Sequence, residues 1–130
     1  MIIAIDTLSH SPIYEQLRDQ VVLGIASKQL TLGEALPSVR RLASDLGINL
    51  HTVNKSYSML CDEGYIVVDR RKGALVSKTM KDGGELRSAL SKKLLLAAAE
   101  AICHQISEKE FIEICSGNYN NALGNAKREG

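Results

Sequence analysis

The chain has 130 residues, 45% of them hydrophobic, which suits one compact domain with an appendage or two very small modules. At this length a full enzyme domain behind a binding head is not expected. A formal net charge of +1 rules out a domain-wide basic field, so any affinity for nucleic acid must come from local clusters.

With one Phe, four Tyr and no Trp, the core must be built from Leu, Ile, Val and Ala, which favours helices. The longest apolar run, Leu94 to Ala99, is far short of a membrane span, and MIIAIDTLS lacks the basic and apolar regions of a secretory signal. No membrane partner is expected. Cys61, Cys103 and Cys115 are odd in number and sit inside helical patterns, as small apolar residues of a reducing cytoplasm do. Nine basic and eight acidic residues lie between Met1 and Lys78, and seven of each lie beyond. The cations that cluster are Arg40 with Arg41, Lys55, and Arg70 to Lys72.

In chain order, Met1 to Ile5 reads as a short strand or arm. Ser11-Pro12 reads as an N-cap with proline at the first helical position. Ile13, Leu17, Val21, Gly24 and Ile25 then form one helical stripe. Lys28 to Pro37 is a connection with a turn at Gly33. Ser38 caps a second helix with Val39, Leu42, Ala43 and Leu46 inward, and Gly47 ends it. Asn49 caps a third helix with Val53, Tyr57, Leu60 and Cys61 buried, stopped by Gly64. Tyr65–Val68 and Ala74–Ser77 read as a hairpin with a charged turn.

The remainder differs in character. Asp82-Gly-Gly-Glu85 can open a helix through Leu86, Leu90, Leu94, Ala97, Ala98, Ala101 and Ile102. From Leu94 onward that helix is apolar on nearly every face, so several neighbours must bury it. Ser107 to Glu110 forms a capping box, with Ile106 and Phe111 as a hydrophobic staple. The last helix is expected to end near Gly117, with a frayed tail from Asn118. The predicted class is mostly α with a small β-hairpin. A winged helix-turn-helix occupies residues 1–78, and a short α-helical module occupies residues 79–130.

In such a fold the third helix fits the DNA major groove. Its side and outer face carry Asn49, His51, Thr52, Asn54 and Lys55. Asn suits bidentate contact with adenine, Thr offers a hydroxyl and a methyl, and Lys55 supplies a charge for phosphate. Ser38, Arg40 and Arg41 sit at the start of the second helix, where free N–H groups and the dipole favour phosphate. Arg70, Arg71 and Lys72 crowd three cations before Gly73, and a phosphate partner relieves their repulsion. Taken singly these residues are ordinary caps and solvated side chains. On two adjacent helices followed by a basic hairpin, they point to double-stranded DNA.

These positions carry a resemblance. The pattern runs Pro12-Ile13-Tyr14-x-Gln16-Leu17, Gly33-x-x-Leu36-Pro37-Ser38-x-Arg40-x-Leu42-Ala43, Leu46-Gly47-x-Asn49-x-x-Thr52-Val53-x-Lys55-x-Tyr57, Glu63-Gly64-Tyr65-Ile66 and Lys72-Gly73. It resembles the GntR family of bacterial transcription regulators over roughly residues 10–77, and the short helical end is similar to the YtrA-type branch. The resemblance implies that Ser38 and Arg40 bind phosphate or base edges. It implies also that Asn49 to Lys55 enters the major groove and that Gly73 approaches the minor groove. It implies a homodimer that regulates transcription, often of transporter operons. The chain departs from the pattern at Leu32, at Leu50-His51 and at Ala74-Leu75, so the bases read do not carry over.

Dimerisation also follows from apolar surface. A two-helix module of some 35 residues cannot bury Leu86, Leu90, Leu94, Ala97, Ala98, Ala101, Ile102 and Phe111 by itself. No cofactor or catalytic residue is expected. Cys103, His104 and Cys115 lack paired ligand spacing, so no metal is expected either. The C-terminal part is too small to enclose an effector pocket within one protomer, which leaves a small-molecule effector open. The reading is a homodimeric regulator, a repressor on a palindromic operator. The rival is a winged helix used as a protein-interaction module.

Overall fold

Proline at position 12 sets the first helix. In the computed structural model, which describes residues 3–80 and 83–124, Pro12 is the N-cap of α1 (Ile13–Ala26), and its carbonyl accepts from the N–H groups of Glu15 and Gln16. The helix therefore starts one residue later than a Ser11 cap implies. Leu17, Val21 and Gly24 form its buried face. Ahead of it, residues 3–6 form no strand; Met1 and Ile2 lie outside the described residues. This arm is held instead by Gln16, whose side chain accepts from the Asp6 N–H at 2.8 Å and donates to the carbonyls of Asp6 and Ser11 at 2.9 and 2.8 Å.

Helices α2 (Val39–Leu46) and α3 (Leu50–Asp62) follow, then the antiparallel strands β1 (Ile66–Asp69) and β2 (Gly73–Val76). Gly47 takes φ 66°, and its N–H and that of Ile48 close back on α2 carbonyls. That left-handed conformation suits glycine and turns the chain sharply into α3. The hairpin register pairs Ile66 with Val76 and Asp69 with Gly73. Both strands are displaced by one residue from the expected Tyr65–Val68 and Ala74–Ser77. The pairing itself continues one step further, since the Ser77 N–H donates to the Tyr65 carbonyl at 2.9 Å; the stretch before α2, which the sequence presents as a bare connection, also lies against β2. Ala35 bridges Leu75, and backbone bonds of 2.8–2.9 Å join Gly33 to Val76, Leu36 to Ala74, and Val76 to Glu34. The connection is thus laid along β2.

The core gathers Leu17 and Val21 of α1, Leu30 and Leu36 of the connection, Leu42 and Ala43 of α2, Val53, Tyr57 and Leu60 of α3, and Ile66, Ala74 and Val76 of the hairpin. Each large aliphatic here contributes roughly 1.5–3 kcal/mol by leaving water. Ser56, fully buried, also belongs to the inner face of α3. Its hydroxyl donates to the Tyr14 carbonyl at 2.6 Å. Cys61, expected in the buried stripe, is only half-buried.

Two compact units divide the chain, residues 1–80 and 81–130. In the second, α4 (Gly84–Cys103) begins after Gly83 with no side-chain cap; Asp82, read as the opening of a capping box, lies outside the described residues. Gln105 adopts φ 63°, and the Ile106 N–H closes onto the Ala101 carbonyl at 2.9 Å, ending α4. Helix α5 (Glu108–Ala122) is capped by Ser107, whose hydroxyl oxygen accepts from the Glu110 N–H at 3.2 Å. It continues five residues past Gly117, because nothing forces that glycine out of helical φ, and the Asn118 side chain donates back to Ile114. The expected frayed tail from Asn118 is therefore helix as far as Ala122.

Candidate nucleic-acid interface

Three pieces of backbone border one open groove of about 420 Å³: the start of α2 (Ser38, Val39), the outer side of α3 (Asn54, Ser58, Cys61, Asp62) and the hairpin (Val68, Gly73, Ala74). Each is fixed from behind. The Tyr57 hydroxyl donates to the Pro37 carbonyl at 2.7 Å, tying α3 to the residue before the α2 cap. Burial pushes the Tyr57 phenol up to about 12, so it stays a donor.

At the α2 start, the Ser38 hydroxyl oxygen accepts from the Arg41 N–H at 3.1 Å. The N–H groups of Val39 and Arg40 are left for another acceptor, the arrangement that suits a phosphate oxygen. Arg40 is exposed. Arg41 goes elsewhere. Its Nε lies 3.7 Å from Asp45, and it borders a separate cavity of about 570 Å³ with Ile3, Leu36, Leu42 and Leu46. The pair is well exposed and holds Arg41 weakly, so the two adjacent arginines serve different flanks of α2.

At the α3 start, the Asn49 side-chain oxygen accepts from the His51 N–H at 2.8 Å. That bond occupies one of the oxygen's two lone pairs, leaving the other, with the amide N–H₂, for a further partner. His51 and Asn54 are exposed and Thr52 is half-buried. Lys55 is exposed too, and its Nζ sits 3.9 Å from the Tyr14 ring centroid. Its ammonium is thus held at the α1 flank.

The hairpin tip is organised by a residue that charge counting overlooked. The Asp69 carboxylate accepts from the N–H groups of Arg71 and Lys72 at 2.7 and 3.0 Å. Those bonds, Lys72 first, hold its pKa below the usual carboxylate range. Gly73 closes the turn at φ 78° with open space around its Cα. The side chains of Arg70, Arg71 and Lys72 are left exposed. The signal was legible as an aspartate just ahead of a turn, where its side chain bonds backbone N–H groups two and three residues on.

Desolvation, with Asp62 as the second cause, raises the Cys61 thiol above its ordinary value. Among the described residues, no group of three or more His, Cys, Asp or Glu stands together as a metal site would need, and no helix is long and apolar enough to cross a membrane.

In the second unit, Leu86, Leu90, Leu94 and Ile102 are exposed, while Ala97, Ala98 and Phe111 are half-buried. Ala101 is 8% exposed and lies at the corner where α4 meets Ile106 and Phe111. It is the one buried residue of α4 among those described, unlike the exposed leucines of the same helix. Leu95, Leu96, Ile112, Ile114, Tyr119 and Leu123, not singled out from sequence, are exposed as well.

Comparison with known proteins agrees with this geometry. The family of bacterial regulatory proteins, gntR family, matches residues 12–76. The chain is 31% identical over 87 residues to the uncharacterized HTH-type transcriptional regulator YhcF of Bacillus subtilis (strain 168), covering 67% of this chain and 72% of that one. It is 39% identical over 79 residues to the HTH-type transcriptional repressor YtrA of the same organism, covering 61% of each. The solved structure of YtrA from Sulfolobus acidocaldarius, a GntR-family transcription factor, is 41% identical with a TM-score of 0.62, over 74% of this chain and 99% of that one. A transcriptional antiterminator from Listeria monocytogenes EGD-e shares the fold with a TM-score of 0.89 at 23% identity, over 100% and 98% of the two chains. With a capped recognition helix, a cationic wing and this match together, the chain belongs to the gntR family of bacterial regulatory proteins, as a winged helix-turn-helix transcriptional regulator similar to the YtrA branch.

Proposed function

We propose that the protein is a homodimeric repressor, working in the cytoplasm on a palindromic operator. Two winged units would each take one half-site, with α3 in the major groove and the Arg70 to Lys72 tip against the neighbouring backbone. Ser38 and Arg40 would fix phosphate, and His51, Thr52 and Asn54 would meet base edges. The observation that carries the dimer is the apolar surface of the second unit. Leu86, Leu90, Leu94, Leu95, Leu96 and Ile102 are all exposed along one helix, more than a soluble helix leaves to water without a partner. Two-fold pairing of that surface implies an operator of matching symmetry. The repressor direction rests on the likeness to YtrA. A transporter operon as the target rests on the YtrA-type resemblance alone.

Light scattering at micromolar concentration, combined with gel shift on the region upstream of the gene, tests this reading. The expected result is a dimer that shifts the duplex and shuts down transcription from it in vitro. A monomer that leaves the duplex unshifted would overturn it and favour a protein-interaction role.

A further inference from the structure

We propose that Tyr14, on α1 and outside the helix-turn-helix, is a positioning residue for Lys55 when the protein binds DNA. The proposal rests on the DNA-binding reading above. The Lys55 ammonium lies 3.9 Å from the centre of the Tyr14 ring. The adjacent residue, Ser56, is fully buried and its hydroxyl donates to the Tyr14 carbonyl at 2.6 Å. Backbone and side chain of one residue therefore grip two consecutive residues of α3. The Ser56 bond locks the start of α1 to the recognition helix, and that lock places the ring where the Lys55 side chain emerges.

Lysine is a flexible point charge that loses much rotamer freedom when it settles on a partner. A ring occupying one face of the ammonium removes part of that freedom beforehand and leaves N–H donors turned outward. A phosphate oxygen is the fitting acceptor, since a lone ammonium carries charge without the fork that reads a base. Tyr14 thus raises affinity without touching DNA and without adding charge.

The test is a double-mutant cycle on the full chain. Its probes are a duplex of the region upstream of the gene and a scrambled duplex of equal composition. Lys55→Ala should weaken both and lower the salt slope by about one unit. Tyr14→Leu should weaken both about two- to fivefold, part of the cost of ordering one long side chain on binding, while keeping the wild-type slope because the charge remains. Tyr14→Phe, which keeps the ring, should match wild type, and Tyr14→Leu should add nothing in the Lys55→Ala background. Equal weakening by Tyr14→Leu in both backgrounds, or failure of Tyr14→Phe to restore binding, overturns the proposal alone. If the wild-type chain binds neither duplex, the DNA-binding reading falls and takes the proposal with it. Should Tyr14→Leu not fold, proton NMR of the wild-type protein decides. The Lys55 Hε resonances should be shifted upfield by the ring current, and unshifted resonances overturn the pairing.

Discussion

The hydroxyl of Tyr57 reaches 2.7 Å across to the carbonyl oxygen of Pro37, so the recognition helix is bolted to the residue that precedes the cap of α2. Replacing Tyr57 with Phe strands that carbonyl and should cost about 1 kcal/mol near neutrality. Because the folded-state phenol titrates at about 12, above its unfolded value near 10, its stabilisation is complete below pH 10. It then falls as pH rises from 10 towards 12, since the unfolded chain loses its proton first. The loss should reach about 2 kcal/mol. Urea unfolding at pH 7, 10 and 11.5 checks this. The gap between wild type and Tyr57→Phe should narrow above pH 10 and reverse sign by pH 11.5, since the loss exceeds the ~1 kcal/mol of the bond; a constant gap would contradict the assignment.

Arg18 on α1 clamps the far end of α3. Its guanidinium donates through Nε to Glu63 at 3.1 Å and through Nη2 to the other carboxylate oxygen, and it stands 5.5 Å from the Tyr65 ring centroid. These bonds, that to Glu63 foremost, hold its pKa above the ordinary arginine value. The pair is partly exposed, so solvent screens it. A double-mutant cycle with Arg18→Ala and Glu63→Gln should return a coupling of about 1 kcal/mol, with Lys at 18 recovering less than half through loss of the fork. A coupling indistinguishable from zero would reduce the pair to a surface ornament.

Arg40 and Arg41 should separate in binding. Arg40→Ala is expected to weaken all duplexes and to flatten the salt dependence by about one unit. Arg41→Ala, on the flank shared with Asp45, should change that slope by less than half as much. Gel shifts between 50 and 200 mM salt, a range over which phosphate contacts show clearly, make the comparison.

Asp69→Ala removes the acceptor for the Arg71 and Lys72 N–H groups and should loosen the tip without unfolding the chain. DNA affinity should drop although a negative charge has been deleted. Simple electrostatics predicts the opposite sign, so titration of duplex into both proteins discriminates directly. Asp69→Asn keeps an acceptor oxygen and should retain most of the affinity.

For the second unit, Leu90→Lys combined with Leu94→Lys should convert a dimer into a monomer with unchanged thermal unfolding of residues 1–80. A monomer should bind operator DNA far more weakly, since two half-sites no longer act together. Sedimentation at micromolar concentration measures the state, and a persistent dimer would move the interface elsewhere.

The caps at Ser38, Asn49 and Ser107 were legible in the sequence because a cap is a local event, decided within three residues. The wing was legible as a hairpin but not in its limits. Ala35 and Leu36 pair with its second strand from some forty residues away, and no local pattern announces that pairing. Gly117 read as a stop because glycine often ends helices, yet only a left-handed φ makes it one. The roles of Tyr14, Gln16 and Ser56 depend on which side chains α1 and α3 bring together.

The stretch before α2 that lies along β2 has a mechanical corollary. Gly33 and Leu36 are stapled to the wing's second strand, and Ser38 follows two residues later. In the proposed binding mode, a tilt imposed on the wing by a distorted duplex would carry the start of α2 with it, because the same backbone bonds join them. Groove width and backbone spacing would then be read together rather than as two separate tests of a site.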